Sequence, residues 1–170
     1  MMNIHLLKKT FYKTLFPPKF GNEKIQNLYH FVAENDSNTE HWEVGGLLSD
    51  FICIIKDFEE GDIQYFFERI SLWNSYYLVI ISDKFLENHV RSVVKYDLGL
   101  IYAKIFLLYD DSDSYYLIDN LEIAITMYQS KIDKATLIDL MHKIELLYYK
   151  KLITKQQYDY HLTFINSLNS

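Results

Sequence analysis

The chain has little cysteine, proline or glycine: its 170 residues include one cysteine, two prolines and five glycines. The single cysteine, Cys53, excludes an internal disulfide and a zinc site built from cysteines. Scarce glycine and proline mean few tight turns and few helix breakers, which favours helices over strands and hairpins. The longest uncharged run is about 12 residues, whereas a membrane helix needs about 20, so no segment is expected to span a bilayer.

Aromatic residues are abundant, with 15 tyrosines and 11 phenylalanines in a chain of net charge -6. Two interpretations of the tyrosines stay open: rings at the margins of helix-packing seams with their hydroxyls in water, or a docking surface for another protein. The negative charge argues against a general nucleic-acid binder, which would have to neutralise phosphates. The preference for lysine over arginine, with much Ile, Asn and Tyr, is typical of an A/T-rich bacterial genome.

Apolar residues recur at spacings of three and four nearly everywhere, which predicts an all-α fold. We expect eight or nine helices in an up-down or HEAT-like helical-hairpin array. The HEAT-like alternative rests on three helix starts, near Glu40, Ser75 and Asp113, that are roughly 35 to 38 residues apart, the size of a helical-hairpin repeat. One domain is expected to cover 1–170. It would begin with a helix at 1–16, ahead of Pro17 and Pro18, and end with a helical hairpin at 133–170. The N-terminus does not have the pattern of a secretory signal, which predicts a cytoplasmic location.

Capping residues mark several helix starts. Asn22 is a predicted N-cap, and two pairs have capping-box spacing: Ser37 with Glu40, and Thr154 with Gln157. These pairs predict where the third and the last helices begin.

Asn74–Ser75 either breaks a helix or lies within one, and both readings stay open. The acidic segment Asp110–Asp113 is expected to be a loop that caps one helix continuing to Tyr128. Gly45 and Gly46 are expected to allow close helix packing.

Catalytic motifs are absent from the sequence: it has no phosphate-binding glycine loop, no Gly-x-Ser-x-Gly elbow and no His-Glu-x-x-His pair. Asp139 and His142 lie one helical turn apart but lack the further ligands of a metal site. Cys53 lies in an apolar run and is expected to be an inert buried thiol. The sequence therefore predicts no enzyme, no cofactor and no metal.

Two acidic clusters, the second followed by a pair of tyrosines, are the candidate binding residues. Each cluster is either a solvated loop or a patch that attracts a basic partner. The predicted partner-binding residues are Glu59, Glu60, Asp62, Asp110, Asp111, Asp113, Tyr115 and Tyr116.

The segment from Leu147 to Tyr158, with its Ile-Thr pair followed by amide residues and an aromatic, resembles the short C-terminal helical hairpin called SHOCT. It lacks the glycine that usually precedes the Ile-Thr pair. The resemblance implies a helix-turn-helix hairpin and no activity.

The segment from Trp42 to Asp50, followed by Phe- and Ile-rich helices, is similar in style to small helical immunity proteins that bacteria make against their neighbours' toxins. This resemblance implies a cytosolic protein that neutralises a cognate toxin, often a nuclease, by covering its active site. The predicted partner is such a toxin or another basic protein, with no role for nucleic acid or membrane. The alternatives are a helical scaffold or adaptor, including a self-associating homodimer, and a small-molecule-binding bundle with Asp139 and His142 at its centre.

Overall fold

A computed structural model of the chain describes residues 17–36, 42, 46–109 and 111–168. These residues form ten α-helices and one short 3-10 helix, with no strand among them, so the all-α prediction is confirmed. The number of helices in the described part already exceeds the eight or nine predicted for the whole chain. In chain order the helices are α1 (Glu23–Asn35), α2 (Leu47–Ile55), α3 (Glu60–Glu68), the 3-10 helix Ile70–Leu72, α4 (Ser75–Phe85), α5 (Asn88–Val93), α6 (Leu98–Leu108), α7 (Asp111–Ile118), α8 (Leu121–Tyr128), α9 (Lys134–Tyr149) and α10 (Lys155–Ser167).

The chain divides into two compact units, the first ending at Tyr96 and the second beginning at Asp97. Helices α1 to α5 belong to the first unit and α6 to α10 to the second. The pattern of the sequence did not indicate this division, and the single domain over 1–170 stays a prediction. None of the described helices has both the length and the apolar character needed to cross a bilayer. The helix expected at 1–16 lies outside the described residues.

In the first unit, α1 packs against α2, α3 and α4, and aromatic rings fill much of the space between them. Trp73 is 2 % exposed, and its ring centroid lies 5.1 Å from that of Tyr29, 5.2 Å from that of Phe66 and 5.7 Å from that of Phe20. Edge-on and tilted ring pairs of this kind add to the free energy gained by burial. The core of this unit is therefore largely aromatic.

The start of α4 settles the question left open at Asn74–Ser75. Asn74 is extended, and its side-chain oxygen accepts a hydrogen bond from the backbone N–H of Tyr76 at 3.0 Å, so it is the N-cap of α4. The segment is a break between the 3-10 helix and α4. Asn22 caps α1 in the same way, as predicted, by accepting from the backbone N–H of Ile25 at 3.0 Å.

Helix α2 begins after Gly46, which has a φ of +87°. A Cβ added there would meet no atom within 4 Å, so Gly46 is needed for its left-handed backbone and not for close packing as expected. The predicted capping box of Ser37 and Glu40 lies outside the described residues, as does Gly45.

In the second unit, α6 packs along α8 and α9, and α9 packs against α10 in the segment where the sequence predicts a hairpin. The closest approach is at Gly99 of α6. A Cβ there would lie 2.1 Å from the side-chain oxygen of Ser130 and 2.6 Å from the carbonyl oxygen of Ala124. Only glycine allows α6 to come this close to the end of α8.

The helix predicted after the acidic segment is two helices, α7 and α8, separated by a turn at Asp119 and Asn120. Helix α7 begins at Asp111, so Asp111 and Asp113 lie in its first turn and not in a loop as expected. Negative charge is favourable at a helix N-terminus. The capping box of α10 is confirmed: Gln157 N–H donates to Thr154 Oγ1 at 3.2 Å, and Thr154 N–H donates to Gln157 Oε1 at 3.0 Å.

Candidate functional site

Asp62, predicted to bind a partner, lies inside the first unit and is 8 % exposed. Its carboxylate accepts hydrogen bonds from Asn22 Nδ2 at 2.7 Å, from Lys24 Nζ at 2.7 Å and from the backbone N–H of Glu59 at 2.9 Å. Burial alone would raise the pKa of Asp62, but these hydrogen bonds outweigh burial and hold its pKa below the usual value. Asp62 thus joins α1 to the start of α3, and its oxygens are engaged within the fold.

Glu59 and Glu60, the other members of the first cluster, are exposed at the N-terminus of α3. Asp57, also exposed, precedes them, and its carbonyl oxygen accepts a hydrogen bond from Lys24 at 2.8 Å. The surface that this cluster offers a partner is therefore formed by Glu59 and Glu60, without Asp62.

Of the second cluster, Asp110 lies outside the described residues, and so do the side chains of Asp111 and Asp113. The two tyrosines that follow are on the outer face of α7. Tyr115 is 39 % exposed and Tyr116 is 56 % exposed, and their ring centroids are 3.9 Å apart with the planes tilted by 35°.

The other face of α7 is fixed in the core of the second unit. Ser114, Leu117 and Ile118 are buried, and the carbonyl oxygen of Leu117 accepts a hydrogen bond from the hydroxyl of Tyr102 at 2.9 Å. The exposed tyrosine pair is therefore held on a rigid element, and little conformational entropy would be lost when it contacts another molecule.

A groove of about 600 Å³ runs between α6 and α9 in the second unit. Asp139 and His142, which the sequence suggested as an incomplete metal pair and as the centre of a small-molecule-binding bundle, both line this groove. Among the described residues no three His, Cys, Asp or Glu side chains are grouped so that they could hold a metal ion. Its lining combines apolar and charged side chains: Lys104, Leu107, Leu108, Thr136, Asp139, His142, Lys143 and Leu146.

The tip of the hairpin formed by α9 and α10 carries a group of tyrosines and lysines that sequence analysis did not single out. The rings of Tyr148 and Tyr158 stack at 4.6 Å with an interplanar angle of 25°. Lys155 Nζ lies 4.9 Å from the ring centroid of Tyr158 and 5.9 Å from that of Tyr148. Next to this stack, Tyr149 is 83 % exposed.

Helix α9 ends at this tip in a conformation that normally favours glycine. Lys151 has a φ of +58°, the N–H of Leu152 donates to the carbonyl of Leu147 at 2.9 Å, and that of Lys151 donates to the carbonyl of Tyr148 at 2.9 Å. This is the Schellman arrangement, in which the left-handed residue is usually glycine. A lysine at this position costs about 1 kcal/mol relative to glycine.

His161 of α10 is a second buried polar group that the sequence did not reveal. It is 2 % exposed, its Nε2 lies 3.9 Å from Asp119 Oδ1, and its Nδ1 has no hydrogen-bond partner in the described part of the chain. Burial lowers the pKa of His161, although Asp119 and Glu122 both act to raise it. The imidazole is therefore held as a neutral group in the core of the second unit.

Cys53 is exposed on α2, so the expected burial of this thiol is wrong. Although α2 is apolar on most of its circumference, only Phe51 and Ile55 are buried, and Cys53 lies between them on a different face.

Comparison of the chain with protein-family models, with curated proteins and with solved structures found no match. A functional assignment for this helical array therefore rests on its own surfaces.

Proposed function

We propose that the chain is a non-catalytic protein-binding module and that the tyrosine pair on α7 is its anchor. The observation that carries the proposal is the pair itself: Tyr115 and Tyr116 are exposed side by side on a helix whose opposite face is buried. Tyrosines that are large, rigid and amphipathic dominate the binding energy of many protein interfaces. Exposed rings contribute little to the stability of the folded unit, whereas they contribute binding energy when a partner covers them.

A basic partner suits this surface. The chain has a net charge of -6, and the first turn of α7 contributes Asp111 and Asp113 ahead of the tyrosines. Acidic groups around an aromatic anchor increase the rate of association with a basic protein, since unlike charges attract over a distance of about 10 Å at physiological salt. Glu59 and Glu60 give the first unit an acidic surface of its own.

The more specific proposal is a cytoplasmic immunity protein that covers the active site of a cognate toxin, with a basic nuclease as the favoured target. Its support is the similarity of the segment Trp42–Asp50 to small helical immunity proteins and the acidic balance of the chain. A nuclease active site is basic because it binds phosphates, so an acidic surface complements it. Binding alone would neutralise the toxin, and no catalytic residue is needed.

The test begins with a tagged chain that recovers its partner from the native host or from competing strains. The double substitution Tyr115→Ala and Tyr116→Ala should then weaken binding by about 100-fold or more, as loss of two anchor residues does. The melting temperature should change little, because both side chains are exposed. Tyr76→Ala is the matched control: Tyr76 is 50 % exposed but lies in the first unit, and this variant should bind normally.

Charge tests the acidic part of the proposal. Replacement of Asp111 and Asp113 by lysine should lower the association rate and flatten its dependence on salt, and replacement of Glu59 and Glu60 should do so more weakly. Normal binding by the double tyrosine variant would contradict the assignment of α7. An interacting protein that does not stop growth when expressed alone would contradict the immunity proposal but leave the binding module standing.

A second candidate function is supported by the groove between α6 and α9. Its volume of about 600 Å³ is within the range of small-molecule sites, and it brings Asp139 and His142 together with Leu107, Leu108 and Leu146. Native mass spectrometry of protein purified from its host should show an added mass if the groove holds a ligand. The variant Leu146→Lys, which places a charge in the lining of the groove, should remove that mass. If the purified protein carries no added mass, the small-molecule candidate is excluded in favour of the protein-binding module.

A further inference from the structure

Three lysines are grouped at the tip of the hairpin formed by α9 and α10. From Leu146 to Tyr158 the sequence contains Lys150, Lys151 and Lys155 and no acidic residue, although the whole chain has a net charge of -6. All three lysines are exposed at the tip of the hairpin formed by α9 and α10. Lys155 pairs with Asp159 on the next turn of α10, which fixes its position.

The same tip presents exposed aromatic surface. Tyr148 and Tyr158 are stacked on each other, and Lys155 Nζ is held over both rings. Tyr149, beside them, is the most exposed large hydrophobic residue in the described chain. The cation–π contacts order these side chains before any partner arrives, which reduces the entropy lost on binding.

A left-handed residue lies at the tip as well. Lys151 is exposed and adopts the left-handed conformation that glycine would adopt at lower cost. Gln129 at the end of α8 has the same left-handed conformation, with a φ of +50°. The conformation therefore marks a helix end, and the exposed charge of Lys151 is what distinguishes the tip.

We propose that the hairpin tip, formed by Tyr148, Tyr149, Lys150, Lys151, Lys155 and Tyr158, docks an acidic segment of a partner protein. Lys150 and Lys151 bind carboxylates of that segment, and the exposed ring of Tyr149 and the stack that Lys155 orders beside it contact an apolar or aromatic side chain of the same segment. This surface shares no residue with the tyrosine pair on α7 and has the opposite charge preference, so the proposal gives the second unit two recognition surfaces.

An acidic polypeptide fits this tip better than the other polyanions do. Recognition of an anionic membrane surface usually needs a cluster of about four to eight basic residues, and the tip has three. Nucleic acid carries one charge about every 1.7 Å along a duplex, which is far more charge than three lysines neutralise. An acidic peptide needs only a few salt bridges and one anchoring contact.

The test titrates the full chain into a short fluorescein-labelled peptide of glutamate residues with one central tryptophan, and binding is followed by fluorescence anisotropy. A peptide with lysine in place of glutamate is the control probe. The glutamate peptide should bind and the lysine peptide should not, with affinity falling as salt is raised. The charge reversal Lys150→Glu with Lys151→Glu should weaken binding by about tenfold or more. Its matched control is Lys131→Glu with Lys134→Glu, which makes the same change of charge at the other end of α9, about 24 Å away by helix rise, and should leave binding nearly unchanged.

Lys151→Gly separates recognition from stability. It should raise the melting temperature by about 2–4 °C because glycine relieves the left-handed strain, and it should still weaken peptide binding because it removes a charge. Equal loss of binding in both charge-reversal variants would overturn the proposal, since only the net charge would then matter. The chain could also bind phosphatidylserine vesicles or a thymidine oligonucleotide more tightly than the glutamate peptide. If reversal of Lys150 and Lys151 abolished that binding, the tip would belong to another polyanion and the proposal would be overturned. Neither outcome would bear on the role of α7.

Discussion

The two units build their cores from different side chains. In the first unit the indole of Trp73 contacts three other aromatic rings, and a second group of rings includes Trp42, Phe51 and Phe85. In the second unit the buried residues are mainly leucine and isoleucine, and most of the described tyrosines are at the surface. The aliphatic core residues of the second unit are Leu98, Ile101, Ile105, Leu117, Ile118, Leu121, Ile125, Leu137, Leu140, Ile144, Leu147, Ile153 and Ile165.

One feature of the composition, the excess of aromatic residues, therefore has two physical causes. Rings such as those of Tyr29 and Tyr77 fill the first unit, being 2 % and 5 % exposed. Rings such as those of Tyr116 and Tyr149 cover parts of the second unit, being 56 % and 83 % exposed. The two interpretations that the sequence leaves open, packing and display, describe different parts of the molecule.

The largest effect is expected from breaking the aromatic core. Trp73→Ala should lower the free energy of unfolding by about 3–5 kcal/mol, because it leaves a large cavity among rings that cannot close over it. Ile144→Val in the second unit, a loss of one methylene, should cost only about 0.5–1.5 kcal/mol. Urea unfolding followed by circular dichroism measures both. A loss below about 1 kcal/mol for Trp73→Ala would mean that the ring cluster does not stabilise the first unit.

Substitution of two glycines by alanine compares a close helix contact, at Gly99, with a solvent-facing helix position, at Gly61. Gly99→Ala should destabilise the second unit by about 1–3 kcal/mol or more, because the new Cβ would overlap Ser130 and the backbone of Ala124. Gly61→Ala in α3 of the first unit meets no atom within 4 Å and should instead stabilise by up to about 1 kcal/mol, since alanine favours a helix. Thermal melts of the two variants should move in opposite directions, and a rise for both would refute the close approach of α6 and α8.

On acidification the two units should lose stability at different pH values. His161 has a lowered pKa when folded, so the unfolded chain binds its proton first, and the second unit should lose stability as the pH falls below the usual histidine value of about 6.5. Asp62 also has a lowered pKa, but its contribution to the first unit is complete above the usual value of 3.8 and is lost as the pH falls through the folded pKa. Asp119 and Glu122, which face His161, moderate the first effect.

Hydrogen exchange between about pH 8 and pH 5 measures this separation, with amides of α8 and α10 losing protection before those of α1 and α3. The variant His161→Leu should flatten the pH dependence of the second unit while that of the first is unchanged. An unaltered profile in this variant would show that another group controls the loss.

The smallest effect is expected at the surface. Tyr149→Ser should change the free energy of unfolding by less than about 0.5 kcal/mol, because its ring is almost fully solvated. Tyr29→Ser, the same substitution in the core of the first unit, should cost several times as much. Similar losses in chemical unfolding would contradict the contrast between a packed and a displayed tyrosine.

Much of the local structure could be predicted from sequence. The N-cap at Asn22 and the capping box of Thr154 and Gln157 are confirmed, because a cap depends on residues within three positions of each other. The same reasoning could not decide whether Asn74 ends a helix, since its cap competes with an apolar pattern that continues on both sides. Of the candidate site, the pattern identified Tyr115 and Tyr116 but not the hairpin tip, whose stack pairs residues of two helices.

The sequence by itself determined that this protein is all-α and where several of its helices begin, because spacing and capping act over a single turn. Only the tertiary structure decided which polar groups are exposed. Asp62 is engaged by Asn22 from 40 positions away, Gly99 accommodates a residue of another helix, and Cys53 faces solvent within an apolar run. The physical reason is that burial is set by contacts between helices distant in sequence, which no local pattern encodes.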